Sequence, residues 1–367
     1  MATKLKSLTP AFAIHPGETL KDELDAREIS QTDFATDIGI LPNQLNEVIK
    51  GKRNITADFA LLLEKALKIE ADFWMRLQSS YELDVSRVKE KNIQKFSQVE
   101  RWNTIKTYVP VNYYKKQGLL TDSLADNESK VKEIYNVHNI DGIINATSKP
   151  CYARFKKSTA LSESIINVVG WQKLVEYNAK QINVGTFEPK QKDNLIDELK
   201  KISKKKDLVT NTAKLLSKSG IKLIIQDKPD KAPIDGMAFW SDKNPAIGVT
   251  LRHQRIDNFI FTIMHELGHI YLHLSKDKKK EFIEDLDDHA YMSKNPEENE
   301  ANEFARNNLI APAKWEEFKM NHFSIEDEDI EKLAIELKIH PAIIRGRVCH
   351  ENHNYYRRRT SIMNKLN

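Results

Sequence analysis

Residues 261–274 read FTIMHELGHIYLHL. The segment is apolar nearly all round, as expected of a helix inside a protein. Yet His265, Glu266 and His269 stand in its middle. Burying such groups without partners is costly. Residues four apart share a helical face, so His265 and His269 can hold one metal ion together. Glu266, next to the first histidine, leans toward the same site. Neutral imidazoles suit Zn²⁺, and a carboxylate beside the ion can act as general base toward water. A bound metal would make the burial tolerable.

This is the His-Glu-x-x-His arrangement of zinc peptidases. It needs a third protein ligand. Downstream, NPEENEANEFARNNLIAP (295–312) reads as a helix capped by Asn295-Pro296, with Phe304, Ala305 and Leu309 facing inward. Glu297, Glu298, Glu300 and Glu303 all lie on it, and spacing does not choose among them. Upstream, IKLIIQ (221–226), GMAFWS (236–241) and PAIGVTL (245–251) read as short strands, the last two joined by a turn at Asp242 to Asn244. PAIGVTL is a candidate edge for holding an extended peptide by strand addition. His273 is expected at the rim or behind a ligand, Tyr271 in the core, and His253 and His289 on the surface or in loops.

The first 85 residues read as five helices. Pro16 starts the first, with Leu20 and Leu24 on one face. Ser30 is an N-cap with Asp33 three residues on, opening QTDFATDI (31–38). Gly39 supplies a tight turn. PNQLNEVIKGK (42–52) follows, with Leu45, Val48 and Ile49 inward and Asn43, Gln44 and Asn46 outward. Thr56 caps ADFALLLEKAL (57–67), and a fifth helix starts near Ala71. A short helix, a glycine turn and a helix with an amide face suit a DNA-reading helix-turn-helix. Asn and Gln can pair with adenine edges, Lys50, Lys52 and Arg53 can hold phosphates, and Gln31 can touch the backbone. Charge does not reinforce this reading: from Met1 to Asp84, acidic residues (14) outnumber lysine and arginine (10).

Two resemblances extend the reading. Residues 14–67 resemble the XRE-type helix-turn-helix, specifically the HigA antitoxin subgroup. The likeness rests on His15-Pro16-Gly17, the Gln31-x-x-Phe34-Ala35 helix and the Asn54-Ile55-Thr56 run. It implies a dimer on a palindromic operator in double-stranded DNA. DGMAFWSDKNPAIGVTLRHQRIDNFIFTIMHELGHIYLHL (235–274), followed by ENEANEFARNNLIAP (298–312), resembles the ImmA/IrrE metallopeptidase family. That resemblance implies zinc on His265, His269 and Glu300, with Glu266 as base. Arg306, Asn307 and Asn308 stand where members often carry small apolar residues, which puts the local surface in doubt.

The rest of the chain carries less chemistry. Trp102, Tyr108, Tyr113, Tyr114 and Trp171 read as core or interface aromatics. The lysines around Lys200 to Lys206 read as a solvated face. Near the end, AIELKIHP (334–341) echoes ATDIGILP (35–42), but Lys338 in place of Gly39 argues against an equally tight turn. This tail pair is expected to pack on the metal-binding module, with a second DNA reader as the minority reading. Arg357 to Arg359 form a basic cluster in a solvated tail.

The 367 residues suffice for two or three domains, and 40% hydrophobic content suffices for real cores. Net charge is +4, which permits nucleic-acid contact without requiring it. The two cysteines, Cys151 and Cys349, are far apart and read as reduced thiols. No signal peptide or membrane span is read, so a cytoplasmic protein is expected.

The sequence therefore predicts a mostly α chain with a small β-sheet (α+β). Its expected parts are a helix-turn-helix domain (1–85), a helical linker or middle domain that connects the two active modules (86–217), and a zincin-like metallopeptidase domain with C-terminal helices (218–367). The expected function is a DNA-binding regulator with a zinc endopeptidase acting on a repressor-type protein or on itself. The rival is a non-catalytic HigA-like antitoxin and autorepressor that neutralises a toxin partner.

Overall fold

The computed structural model of the protein describes residues 12–147, 163–284 and 295–366. His289 and Cys151, both read above, lie outside the described residues. The chain divides into two compact units, Met1–Arg101 and Trp102–Asn367.

The first unit opens with α1 (Pro16–Ala26), α2 (Gln31–Asp37), α3 (Pro42–Ile49), α4 (Ala57–Leu67) and α5 (Ala71–Val88). Local chemistry sets the ends of these helices. The Ser30 hydroxyl accepts the Asp33 N–H at 3.1 Å, and Thr56 accepts that of Phe59 at 3.3 Å. Gly39 turns the chain between α2 and α3 at φ +72°. Leu20, Leu24, Phe34, Leu45, Val48, Ile55, Leu63 and Trp74 form the core. His15 caps α1 through its ring, its Nδ1 accepting the Gly17 N–H at 2.9 Å.

The boundary between the units falls within α6 (Glu90–Tyr108). The second unit is a sheet covered by helices on both faces. Its strands are β1 (Lys222–Ile225), β2 (Gly236–Ser241), β3 (Asn244–Val249) and β4 (Phe282–Glu284), in the order β1-β3-β2-β4. Among the described residues, only β1 and β3 pair in parallel. Strand alternation sends Ile224, Met237, Phe239, Ala246 and Ile283 to one face. There they meet the end of α6, α7 (Val111–Lys116), α8 (Leu124–Tyr135), α9 (Ile140–Ala146) and α10 (Glu163–Lys180). Trp102, Tyr113, Tyr114 and Trp171 are buried in this layer, and Tyr108 packs against it. The middle region, read as a connector, thus supplies one layer of the second unit.

Ala238, Ile247, Val249 and Phe282 face the other way. That face is covered by α11 (Lys192–Ile202), α12 (Leu208–Lys218), α13 (Ile256–His269), α14 (Pro296–Leu309), α15 (Pro312–Asn321), α16 (Asp327–Leu337) and α17 (Pro341–Glu351). Lys204 to Lys206, beyond the end of α11, are exposed as expected.

Two expectations are corrected. PAIGVTL is not an edge: β3 is interior, bonded to β1 on one side and β2 on the other, so it has no free ladder for a peptide. The tail turn is as tight as the first one. Lys338 takes the left-handed conformation at φ +58°, and Ile339 N–H reaches Ala334 O at 3.1 Å, as Ile40 reaches Ala35 at 3.0 Å. Left-handed backbone costs a non-glycine residue roughly 1–2 kcal/mol, an amount that surrounding packing can offset. As expected, α17 packs on α13, burying Ala342, Ile343, Ile344, Val348 and Cys349. The crossing is close enough that a methyl added at Gly346 would lie 2.5 Å from Asp257 Oδ2.

Candidate metal centre and recognition helix

α13 carries His265, Glu266 and His269, all fully buried. Beyond His269 the helix widens into a π turn over Ile270–Leu274, which contains His273. α14 runs alongside. Gly268 permits the close approach, since a methyl there would lie 3.0 Å from the Ala301 Cα.

The carboxylate that α14 sends to the histidines is Glu298. His265 Nε2 and His269 Nε2 lie 2.9 Å apart, and each is 3.3 Å from Glu298 Oε2. Zinc bonds of 2.0–2.2 Å at tetrahedral angles would separate the ligand atoms by about 3.3 Å, so the donor set fits such an ion. The ionisation states fit as well. Burial pushes the His269 imidazole down to about 4, leaving it neutral at physiological pH. Burial alone would raise Glu298, but the His265 and His269 rings beside it outweigh that and hold the carboxyl below its usual range.

Glu300, expected as the third ligand, is not in this group. It is more than half exposed and meets His273 Nε2 at 3.0 Å. The reason is helical phase. Two residues turn an α-helix by about 200°, so Glu298 and Glu300 cannot share a face. Glu298 precedes the buried Ala301, Asn302 and Ala305 by three, four and seven residues, the spacing of a single inward stripe. That stripe was the available sequence signal. Of the other candidates, Glu297 pairs with Lys280 at the surface.

Residues not singled out from sequence complete the surroundings. Asn302 Oδ1 lies 3.1 Å from His265 Nδ1. Phe282 of β4 stacks on the His269 ring with centroids 4.1 Å apart. Gly236 of β2 lies against Glu266, where an added methyl would be 2.3 Å from Oε1. His273 sits behind His269, the two Nδ1 atoms 3.1 Å apart. Tyr271 packs beside Phe187 and Phe304 in the core, as read. His253 lies in a turn, 3.8 Å from Asp235.

In the first unit, α3 presents Asn43 exposed and Gln44 and Asn46 half-buried, opposite the buried Leu45, Val48 and Ile49. Lys50, Lys52 and Arg53 follow and are exposed, while Gln31 is half-buried at the start of α2. Arg53 approaches Glu47 at 3.9 Å. In the tail corner, by contrast, Arg345 is tied to Tyr355 O and Arg358 O, and Arg347 to Glu351. No amide-bearing face is open on α17. Arg358 stacks on Tyr355 rather than standing free. Among the described residues, no helix is long and apolar enough to cross a membrane.

Comparison with known proteins places a family domain in each unit. Residues 20–74 match the helix-turn-helix family profile, and residues 217–347 match that of the IrrE N-terminal-like domain. Virulence-associated protein I of Dichelobacter nodosus is 34% identical over 82 residues, covering 22% of this chain and 76% of the relative. The uncharacterized HTH-type transcriptional regulator YddM of Escherichia coli (strain K12) is 27% identical over 81 residues, covering 20% of this chain and 86% of the relative. Among solved structures, an addiction module antidote protein of the HigA family from Coxiella burnetii is 33% identical, with TM-score 0.22, covering 24% of this chain and 94% of its own. The chain therefore belongs to the XRE-type helix-turn-helix proteins and carries, fused behind that domain, a domain of the ImmA/IrrE metallopeptidase family.

Proposed function

We propose that the protein is a cytoplasmic transcription regulator whose second unit is a zinc-dependent endopeptidase. It cleaves a repressor-type protein, or itself, to control stress, prophage or mobile-element genes. The observation that carries this reading is the convergence of His265, His269 and Glu298 within 3.3 Å, with Glu266 buried beside them. Zinc held by such a set supplies Lewis acidity toward water and a peptide carbonyl. Glu266 accepts a proton from the attacking water at its carboxylate and delivers it to the leaving amine nitrogen. Phe282 and the buried face of α13 restrict bulk water around the histidines.

On the DNA side, the domain binds a double-stranded operator as a homodimer. Asn43, Gln44 and Asn46 read base edges, Lys50, Lys52 and Arg53 hold phosphates, and Gln31 touches the backbone. Changing the three amide residues to alanine is expected to abolish sequence-selective binding. Changing the three cations should weaken all sequences alike and flatten the salt dependence by about 0.9 per lost contact. Retained selectivity in the amide variant would sink the assignment.

Glu266→Gln tests the peptidase reading. The variant should fold, bind zinc in the wild-type ratio by elemental analysis, and fail to lower the level of the regulated repressor in cells. Wild-type behaviour in cells would mean that catalysis is not the function. It would favour a non-catalytic HigA-like antitoxin that neutralises a toxin.

A further inference from the structure

Glu300 and His273 form a line that ends on a metal-facing histidine. Glu300 Oε2 is 3.0 Å from His273 Nε2, and His273 Nδ1 is 3.1 Å from His269 Nδ1. The line continues through the His269 ring to its Nε2, 3.3 Å from Glu298 Oε2. A neutral imidazole carries one proton, on one of its two nitrogens. If His269 Nε2 is to offer a lone pair, its Nδ1 must carry the proton and donate it to His273 Nδ1. His273 Nδ1 then accepts, so its own proton sits on Nε2 and points at Glu300. With Nε2 kept for a metal, each ring has one self-consistent tautomer, and the carboxylate at the outer end favours it against the pull of Glu298 on Nε2. The inner part of the line is enclosed, with His273 only 6% exposed. Phe282 flanks both rings, with centroids 4.1 Å from His269 and 5.3 Å from His273.

We propose that Glu300 and His273 are positioning residues: Glu300 acts through His273 to hold His269 in the Nδ1–H tautomer, with Nε2 free to ligate. The π turn after His269 has a role in this arrangement, because it carries His273 and sets where that ring falls. His265 is served separately, through the 3.1 Å contact of its Nδ1 with Asn302 Oδ1. The two metal-facing histidines thus have different supports: a neutral amide behind one, and a histidine–carboxylate pair behind the other. Outer partners of this kind fix ring orientation and raise ligand basicity.

The inference rests on the metal-site reading above, so its test includes a readout that needs no metal. The full-length protein would be compared with His273→Leu, His273→Asn, Glu300→Gln and Glu298→Gln. Asparagine places an acceptor oxygen where His273 carries Nδ1; leucine does not. Zinc dissociation constants would be measured by chelator competition. The His269 ring nitrogens would be observed by ¹⁵N NMR in metal-free protein.

His273→Leu is expected to weaken zinc about 10–100-fold, and His273→Asn to recover most of that loss. Glu300→Gln should weaken zinc less than Glu298→Gln and still bind one ion per chain at saturation. In metal-free protein, where Glu298 also faces Nε2, the share of His269 protonated at Nδ1 should be larger in wild type than in His273→Leu. The proposal is overturned if Glu300→Gln abolishes zinc binding as fully as Glu298→Gln, which would make Glu300 a ligand. It is equally overturned if His273→Leu changes neither affinity nor tautomer. If wild type binds no zinc, the metal-site reading fails, and the metal-free tautomer still decides the relay.

Discussion

The His15-Pro16-Gly17 opening shows how much one residue can settle. Gly17 lies against the end of α3, where a methyl would be 2.0 Å from the Val48 carbonyl oxygen. The His15 ring caps α1 and is held edge-on by Tyr81, with centroids 4.6 Å apart. The motif therefore braces the proposed recognition helix from behind. Gly17→Ala should cost about 1–3 kcal/mol through overpacking. Burial pushes His15 below its ordinary value of 6.5, against a smaller upward pull from Glu18. The unfolded chain therefore takes up the proton first. Stability from this group is full above pH 6.5 and is lost as pH falls toward the folded value. An NMR titration of the His15 ring should find a midpoint below 6.5, and His15→Asn should keep the cap while removing this pH sensitivity. A midpoint at or above 6.5 would contradict the account.

Among elements, the pair α13 and α14 matters most, because the donor set exists only where they approach. Gly268 faces Ala301, where even a methyl would be 3.0 Å from the Ala301 Cα. Gly268→Val should push the helices apart, costing about 1–3 kcal/mol and lowering zinc stoichiometry while leaving DNA binding intact. Full zinc occupancy in that variant would show that the contact does not set the site. This pair also marks where sequence reading stopped. His265, Glu266 and His269 were legible because their relation is confined to one helix, and the Ser30 and Thr56 caps and the Gly39 turn were legible for the same reason. The carboxylate that joins the two histidines depends on the phase of a second helix against the first. The stripe through Ala301 and Ala305 carried that information for Glu298, whereas the resemblance pointed to Glu300. The interior position of β3 was not legible, because pairing partners are long-range and the strand pattern is alike at a centre or an edge.

For the whole molecule, two compact units with separate cores imply separable stabilities. Among the described residues, the His265, His269 and Glu298 cluster is the group with metal-binding geometry, and it lies in the second unit. A ligand bound to the folded state at 100 times its dissociation constant adds about 2.7 kcal/mol. Calorimetry in excess chelator should therefore lower one unfolding transition and leave the transition of the helix-turn-helix unit in place. An equal downward shift of both would mean that the units unfold as one.

The corner built at Gly39 and built again at Lys338 separates backbone shape from use. Both copies bend through one left-handed residue and close with the same hydrogen bond, yet one leads into a helix with an open amide face and the other into a helix enclosed by its own domain. A corner of this kind is a hinge pin that fits more than one door. Grafting amide side chains onto α17 would not create a second reader of DNA, because the bend was never the scarce part; uncovered surface was.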